Sequence, residues 1–301
     1  EEVMRKSRFT EEQMVKILRA LLVEQLDYNL LFRWFVGLGM DDAVWDRTVF
    51  SINRDRLLGT DVARQFFRRV LHLAEWQGFV SDEHFSVDGT MIEAWASHKS
   101  FVPKDGSGPD KPAGRNPEAD FKGKTRSNAT HQSTTDPQAR LYKKGEFAEA
   151  KLRYMTHALS ENRNGLVVDV ESTQATGRAE WEAAIRMIDR SVRKPGATVG
   201  ADKGYDTAEF VAALERRGIR AHVARKVSGS AVDGRTARGK GYAMSLRRRK
   251  MIEEAFGWIK TVGGLRKTRH KGLEKLSGQA LFAFAAYNLT RMLSLMRQAA
   301  A

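Results

Sequence analysis

Hydrophobic residues recur at helical intervals through the first part of the chain. Met14, Ile17, Leu18, Leu21 and Leu22 define one apolar stripe; Thr10 and Gln13 precede it with the spacing of a capping box, and Lys16 and Arg19 lie on the other side. Tyr28, Leu31, Phe32, Phe35 and Val36 define a second stripe, stopped by Gly37 and Gly39. Val62, Phe66, Phe67, Val70, Leu71 and Ala74 define a third, before Gly78. The pattern predicts a helical amino-terminal domain over residues 1–80, with its aromatics in a bundle core and a set of arginines available for binding DNA ends.

After His84 the period changes. Phe85, Val87, Met91 and Ile92 predict a buried strand with polar residues inserted near its end. From Lys99 to about Gly145 the chain turns to Gly, Pro, Ser, Asn, Thr, Asp and Lys, which predicts a long basic surface insertion over about 99–145. Leu152–Leu159 and Leu166–Val170 read as two strands joined by a turn that ends in Asn164-Gly165, a strong hairpin signal. A helix over Glu180–Arg190, a short strand Thr198–Ala201 ending at Asp202, a helix over Thr207–Arg217 and a strand over Ile219–Val223 follow. One helix is predicted from Leu246 through Glu253, Phe256 and Lys260 to Gly263-Gly264, and a long apolar one from Leu276 to Met296. That succession predicts an α/β domain with a mixed sheet over residues 81–301.

Charge narrows the class of partner. The 301 residues hold 51 Lys and Arg against 37 Asp and Glu, a net charge of +14, which favours an anionic polymer such as nucleic acid. The absence of cysteine excludes disulfides, thiolate zinc sites and cysteine nucleophiles, so any metal is held by oxygen or histidine. His98, His131, His157 and His222 show no ligand spacing. No apolar run reaches the ~18 residues of a membrane span, and no secretory signal is visible.

Two acids are expected at the carboxyl ends of buried strands, where α/β sheets place their sites: Asp88, followed by Gly89, and Asp202, followed at two positions by Gly204. A carboxylate there needs a cation for company, although an aspartate beside glycine also forms ordinary turns. Arg249, Glu253 and Lys260 are four and seven residues apart, and at ~100° per residue they fall within ~40° of one helical stripe. Ile252, Phe256 and Ile259 form the adjoining apolar face. Simple i,i+4 ion pairs would give the same spacing. Three carboxylates without cysteine fit Mg²⁺ or Mn²⁺, and two such ions ~4 Å apart support in-line attack on a phosphodiester.

Phe85-Ser-Val-Asp-Gly-Thr, Gly200-Ala-Asp-Lys-Gly-Tyr-Asp and the R-x3-E-x6-K pattern of Arg249 to Lys260 resemble bacterial insertion-sequence transposases of the DDE class, the insertion-sequence-five group. Gln25 to Phe35, Trp45 to Phe50, Ser133 to Ala139 and Asn162 to Leu166 extend the likeness over nearly the whole chain. The resemblance implies an RNase H-like catalytic fold with Asp88, Asp202 and Glu253 as the metal-binding catalytic triad and Mg²⁺ as cofactor, Mn²⁺ substituting. It implies that Arg249 and Lys260 contact DNA phosphate. Arg247, Arg248 and Lys250, the cluster Arg266, Lys267, Arg269 and Lys271, and the loop cations Lys122, Lys124 and Arg126 are expected as further phosphate contacts, although any one such cluster also suits a solvated face. The family's tyrosine three positions before the arginine is replaced here by Leu246. The implied reaction is cleavage at transposon ends and transfer of the freed 3′-hydroxyl into target DNA, by a homodimer or higher oligomer in the bacterial cytoplasm, at the nucleoid. A transposase-derived DNA-binding protein, or a metal-dependent nuclease without strand transfer, would carry the same residues.

Overall fold

The computed structural model describes residues 60–105, 126–143 and 149–300, together with scattered positions between 24 and 58. The chain divides into two compact units, Glu1–Leu57 and Leu58–Ala301. In the smaller unit the described positions include helical ones, and the buried Arg33 side chain donates to the carbonyls of Leu26, Gly39 and Met40, tying a helical segment to the turn after it. The stripes expected over Met14–Leu22 and Leu31–Val36, and the loop cations Lys122 and Lys124, fall largely or wholly outside the described residues.

The larger unit begins with helix α1 (Thr60–Trp76), followed by β1 (His84–Glu93), β2 (Phe101–Pro103), β3 (His131–Ser133) and β4 (Arg140–Tyr142). Then come β5 (Lys151–Glu161), β6 (Val167–Gln174), α2 (Ala179–Ser191), β7 (Thr198–Ala201), α3 (Ala208–Glu215) and β8 (Arg220–Val223). Four helices complete it: α4 (Gly234–Ala237), α5 (Lys240–Arg248), α6 (Met251–Thr261) and α7 (Leu273–Ala300). The main sheet runs β4-β5-β1-β7-β8, with β6 also paired to β5. β6, β5 and β1 are antiparallel neighbours, whereas β1, β7 and β8 are parallel. Three antiparallel strands followed by two parallel ones make the mixed sheet of an RNase H-like fold. Among the described residues of the expected insertion, β2 pairs with β3 and β4 joins the sheet, so these stretches are strands and not loop.

Two hydrophobic clusters cover the sheet, and strand alternation assigns residues to them. Phe85 and Val87 join Met187, Ile188, Phe210 and Leu214 in one; Ile92, Tyr154 and Val170 join Phe67, Ile252, Ile259 and Phe284 in the other. Each such side chain, fully buried, contributes about 1.5–3 kcal/mol. α1 presents Ala63, Phe67, Val70 and Ala74 to the second cluster, beside α7, while Phe66 is half exposed against Phe282. The third expected helix therefore packs as part of the larger unit. Asn288 of α7 is fully buried because its amide both accepts from Val167 N and donates to Val167 O, satisfying the first pair of backbone groups in β6. At the β5–β6 hairpin Gly165 has φ 76°, a conformation that disfavours any side chain.

His157, in the middle of β5, is fully buried; Nε2 is 2.8 Å from Thr173 Oγ1, and Nδ1 has no partner. Burial, reinforced by the Arg186 cation, holds the imidazole down to about 3 from its ordinary 6.5. The unfolded chain takes up a proton that the folded one refuses, so this contribution to stability is complete above pH 6.5 and is lost as pH falls towards 3. His157→Gln is expected to flatten the loss of stability between about pH 7 and pH 4 by at least ~1 kcal/mol in urea melts. An unchanged pH profile would contradict the buried neutral imidazole.

Candidate active site

Parallel pairing aligns the two aspartates. His84, Phe85 and Ser86 of β1 lie opposite Thr198, Val199 and Gly200 of β7, and the same register carried two residues further sets Asp88 beside Asp202. Asp202 follows the last residue of β7 as expected, and its Oδ1 accepts from Gly204 N at 2.7 Å, capping a short 3-10 turn. Asp88 is different from the expectation. It lies in the middle of β1, not at its end, because β5 continues to pair with the strand through Gly89 to Glu93 after β7 has ended. Gly89 is thus not an exit from the strand. Its missing side chain makes room instead: a β-carbon there would lie 2.9 Å from His157 Nδ1 and 3.3 Å from Glu180 Oε1. The Gly89 N–H donates to Asp88 Oδ1 at 2.8 Å.

The third predicted acid arrives from α6. The single helix expected from Leu246 onward is two, α5 and α6, joined at Arg249 and Lys250, whose backbones stay in the right-handed helical region. The junction tightens, with Ile252 N donating to Arg249 O and Glu253 N to Lys250 O, three residues back. Arg249 remains on the same side as Glu253. Its Nη1 is 3.4 Å from Asp88 Oδ2 and its Nη2 3.4 Å from Glu253 Oε1, so one guanidinium spans two carboxylates. Ile252, Phe256 and Ile259 are buried, as expected of the adjoining face. Glu253 is 59% exposed, against 16% for Arg249 and 20% for Asp88, which makes it the outermost of the three.

The cations extend from this centre in two directions. Arg247, Arg248 and Lys250 are exposed beside Arg249, and half-buried Lys260 lies seven residues beyond Glu253, ~10 Å along the helix. Arg266, Lys267, Arg269 and Lys271 are exposed on a segment tied to the far end of β1, where Glu93 N donates to Arg266 O and Thr268 N to Glu93 O. Five residues of strand put that segment ~17 Å from Asp88. Lys267 Nζ stands 5.4 Å from the centre of the Trp95 ring. Arg249 therefore meets both Asp88 and Glu253, Asp202 lies beside Asp88, and the remaining cations lie along α6 and at the far end of β1.

Burial raises Asp88 to about 7; the Gly89 N–H opposes the rise, and the Asp202 charge adds to it more than Glu180 does. Glu180, in the first turn of α2, is itself raised by burial and then by Asp202. Neither Glu180 nor Tyr205 was assigned a role from sequence. Tyr205 is buried with its hydroxyl unpartnered, and after burial its largest influences are the carboxylates of Glu180, Asp88 and Asp202. The only signal for Glu180 is an acid at the start of the helix leading into the Asp202 strand. An all-oxygen set of mutually repelling carboxylates suits a hard divalent cation. It is not closed on one point: among the described residues no three acidic or histidine side chains stand close enough to hold an ion together. Among the described residues no helix is long and apolar enough to cross a membrane.

Residues 81–289 match a family described as "Transposase DDE domain", and residues 13–56 match one described as "Transposase domain". Among solved structures, a piggyBac transposase synaptic complex with hairpin DNA is similar at 10% identity and TM-score 0.35, covering 96% of this chain and 69% of that one. A Mos1 transposase paired-end complex with the left transposon end is similar at 11% identity and TM-score 0.24, covering 98% of this chain and 81% of that one. At such scores no residue correspondence follows.

The space above Gly89 is testable by itself. Gly89→Ala is expected to destabilise by about 1–3 kcal/mol, since the buried His157 ring cannot yield. Gly177→Ala, where a β-carbon would meet nothing within 4 Å, should stay within about 0.5 kcal/mol of wild type in the same denaturant melts.

Proposed function

The chain belongs to the transposase DDE domain family, whose members cleave and join DNA with divalent metal ions, and on that footing we propose that Asp88, Asp202 and Glu253 are its catalytic triad. The observation that carries the assignment is the Arg249 guanidinium, shared between Asp88 and Glu253 at 3.4 Å each while strand register sets Asp202 beside Asp88. These pairwise relations among acids distant in sequence support the reading drawn from the motifs.

The metal would be Mg²⁺, with Mn²⁺ able to substitute, held by these three carboxylates; when bound it supplies Lewis-acid stabilisation of charge developing on phosphate oxygens. The chain's own residues do the rest. In the metal-free protein Arg249 offsets repulsion between Asp88 and Glu253, and as DNA docks its guanidinium is placed to transfer to a phosphate, where a planar fork binds well. Asp88, at about 7, is close to half-protonated at neutral pH and gives up that proton as positive charge gathers round it. Lys260, Arg247, Arg248 and Lys250 hold DNA on one side of Glu253; Arg266, Lys267, Arg269 and Lys271 hold it further along. The substrates are transposon inverted-repeat ends and target DNA. The protein acts as a homodimer or higher oligomer, with the smaller unit, residues 1–57 rather than 1–80, as the DNA-end binding domain and the larger unit, 58–301, as the catalytic domain. The motif R-x3-E-x6-K supports placement in the insertion-sequence-five group of bacterial transposases, working at the nucleoid.

Asp88→Asn, Asp202→Asn and Glu253→Gln are each expected to reduce end cleavage to background while gel shifts still detect end binding. Wild-type cleavage by any of them removes that residue from the triad. Glu254→Gln is the control; if it, and not Glu253→Gln, abolishes cleavage, the third acid moves by one residue. Labelled ends supplied with a target plasmid separate transfer from simple hydrolysis, because only transfer yields joined product. Changing Arg247 and Arg248 together to Ala should weaken binding to all DNA sequences and lower the slope of log affinity against log salt by up to ~0.9 for each phosphate no longer neutralised. An unchanged slope would take those two residues off the DNA.

A further inference from the structure

The motif Asp202-Lys-Gly-Tyr-Asp ends in a second aspartate, Asp206, which the catalytic triad does not use. Asp206 is 1% exposed, and a carboxylate so buried has to be matched by donors. One loop supplies them: Oδ2 accepts from Lys226 N at 2.7 Å and Oδ1 from Ala231 N at 2.8 Å. Asp206 therefore clamps both ends of the segment 226–231, which follows β8. Within it Gly229, at φ 66°, turns the chain back, and Arg225 Nε is 3.3 Å from Ser230 Oγ across the neck of the loop.

The clamp and the catalytic aspartate share one turn. Asp202 caps the 3-10 turn Lys203–Tyr205, and Asp206 closes it by donating its N–H to Lys203 O. From the sheet side, Ala201 of β7 lies opposite Val223 of β8, so the same register carried one residue further sets Ala224 beside Asp202, one strand spacing or ~4.8 Å away. Ala224 N donates to Ala201 O at 2.9 Å, and Tyr242 Oη of α5 donates to Val223 O at 2.8 Å, which fixes the base of the loop on both sides. Arg225, Lys226 and Ser228 are exposed, and Val227 at the tip is fully so, which shows that the loop stands clear of the body.

Charge indicates what the loop meets. Arg225, Lys226, Arg235, Arg238 and Lys240 are all exposed, whereas the single acid of residues 224–240, Asp233, has a carboxylate oxygen occupied by Arg235 N. Lys203 adds an exposed cation on the adjoining turn. The cations at the end of β1 lie on one side of β7 and this loop on the other, so a phosphate backbone passing over Asp202 is met from both. An anchored loop also avoids the ordering cost that a slack one incurs on binding.

We propose that the loop 225–230 is a clasp for the DNA backbone at the cleavage position, with Arg225 and Lys226 as the phosphate contacts and Asp206 as the positioning residue that holds them beside Asp202. The proposal rests on the placing of Asp202 in the catalytic centre. Contacts of this kind set the register of the duplex and are indifferent to base sequence.

The chain has no cysteine, so Ser228→Cys gives a single attachment point for an iron chelate that cuts neighbouring DNA by hydroxyl radicals. Its cuts should fall within a few nucleotides of the position at which the unmodified protein cleaves; cuts only elsewhere, or none in a complex that forms, overturn the proposal. Salt titrations of the full chain with duplex DNA of arbitrary sequence supply the second readout. Arg225→Ala combined with Lys226→Ala should lower the slope of log affinity against log salt by up to ~1.8, or ~0.9 for each phosphate, with no change in melting temperature. Asp206→Asn, whose amide oxygen can accept but whose nitrogen cannot, should lower the slope although both cations remain, and should lower it no further in the doubly substituted background. A purely structural Asp206 would instead lower the melting temperature and leave the slope of the folded protein unchanged. Should Asp206→Asn fail to fold, the double variant and the chelate decide the matter. A wild-type slope in the double variant, with cleavage still abolished by Asp202→Asn, overturns the clasp and leaves the catalytic reading standing. Cleavage retained by Asp202→Asn removes the centre beside which the loop is placed, and the proposal falls with it.

Discussion

Repulsion between Asp88 and Asp202 is the constraint around which this catalytic unit is arranged. Parallel pairing of β1 and β7 brings the two carboxylates to one level, and the apolar layers on the sheet deprive Asp88 of water. Neither strand can shift without breaking its other pairings, β1 with β5 and β7 with β8. A one-residue slip in β1 would also exchange Phe85 and Val87 with Ser86 and Asp88 between the faces. The cost of holding two acids together is therefore built into a register that the hydrophobic core enforces.

Neighbouring features moderate that cost without removing it. Backbone N–H groups of Gly89 and Gly204 each bind one carboxylate oxygen, and such bonds to an ionised acceptor are among the stronger ones available. Arg249 supplies a positive charge to Asp88 and carries Glu253 in with it. The tightened junction between α5 and α6 keeps the guanidinium in place while the two helices pack separately, Tyr242 of α5 in one hydrophobic cluster and Ile252 of α6 in the other. Asp88 nonetheless stays raised to about 7, first because burial disfavours its charge and then because the Asp202 carboxylate adds an imbalance that Arg249 only partly offsets. A family that works with divalent metal ions has reason to retain such an imbalance, since a fully neutralised cluster would have little affinity for a cation.

Much of this was legible from residue types and spacing. The β5–β6 hairpin follows from Asn164-Gly165, the strand before Asp202 from its apolar run, and the shared side of Arg249 and Glu253 from an offset of four. What escaped depends on distant partners. Gly89 looked like the end of a strand because glycine commonly is; the strand continues because β5 pairs with it, and β5 is contributed by residues 151–161. The break between α5 and α6 has neither proline nor glycine at Arg249 and Lys250 to announce it. Glu180 is marked only as an acid in the first turn of a helix and Tyr205 not at all, since it is the tertiary fold that brings the charge of Asp88 to bear on Tyr205 and that of Glu180 on Asp88.

Distance also explains how a cluster of acids can work within a chain of net charge +14. Fields of exposed charges fade over a Debye length of about 8–10 Å at physiological salt. Arg266, Lys267, Arg269 and Lys271, ~17 Å from Asp88 along β1, lie beyond that range, so they can draw in phosphates without competing for the carboxylates. Lys260, ~10 Å from Glu253, stands at its margin. Arg249 is well inside it, in contact with both acids. On the proposed assignment of Asp88 and Glu253, a phosphate that drew the guanidinium away would leave both carboxylates free to hold a cation, which would couple the docking of DNA to the charge of the two acids.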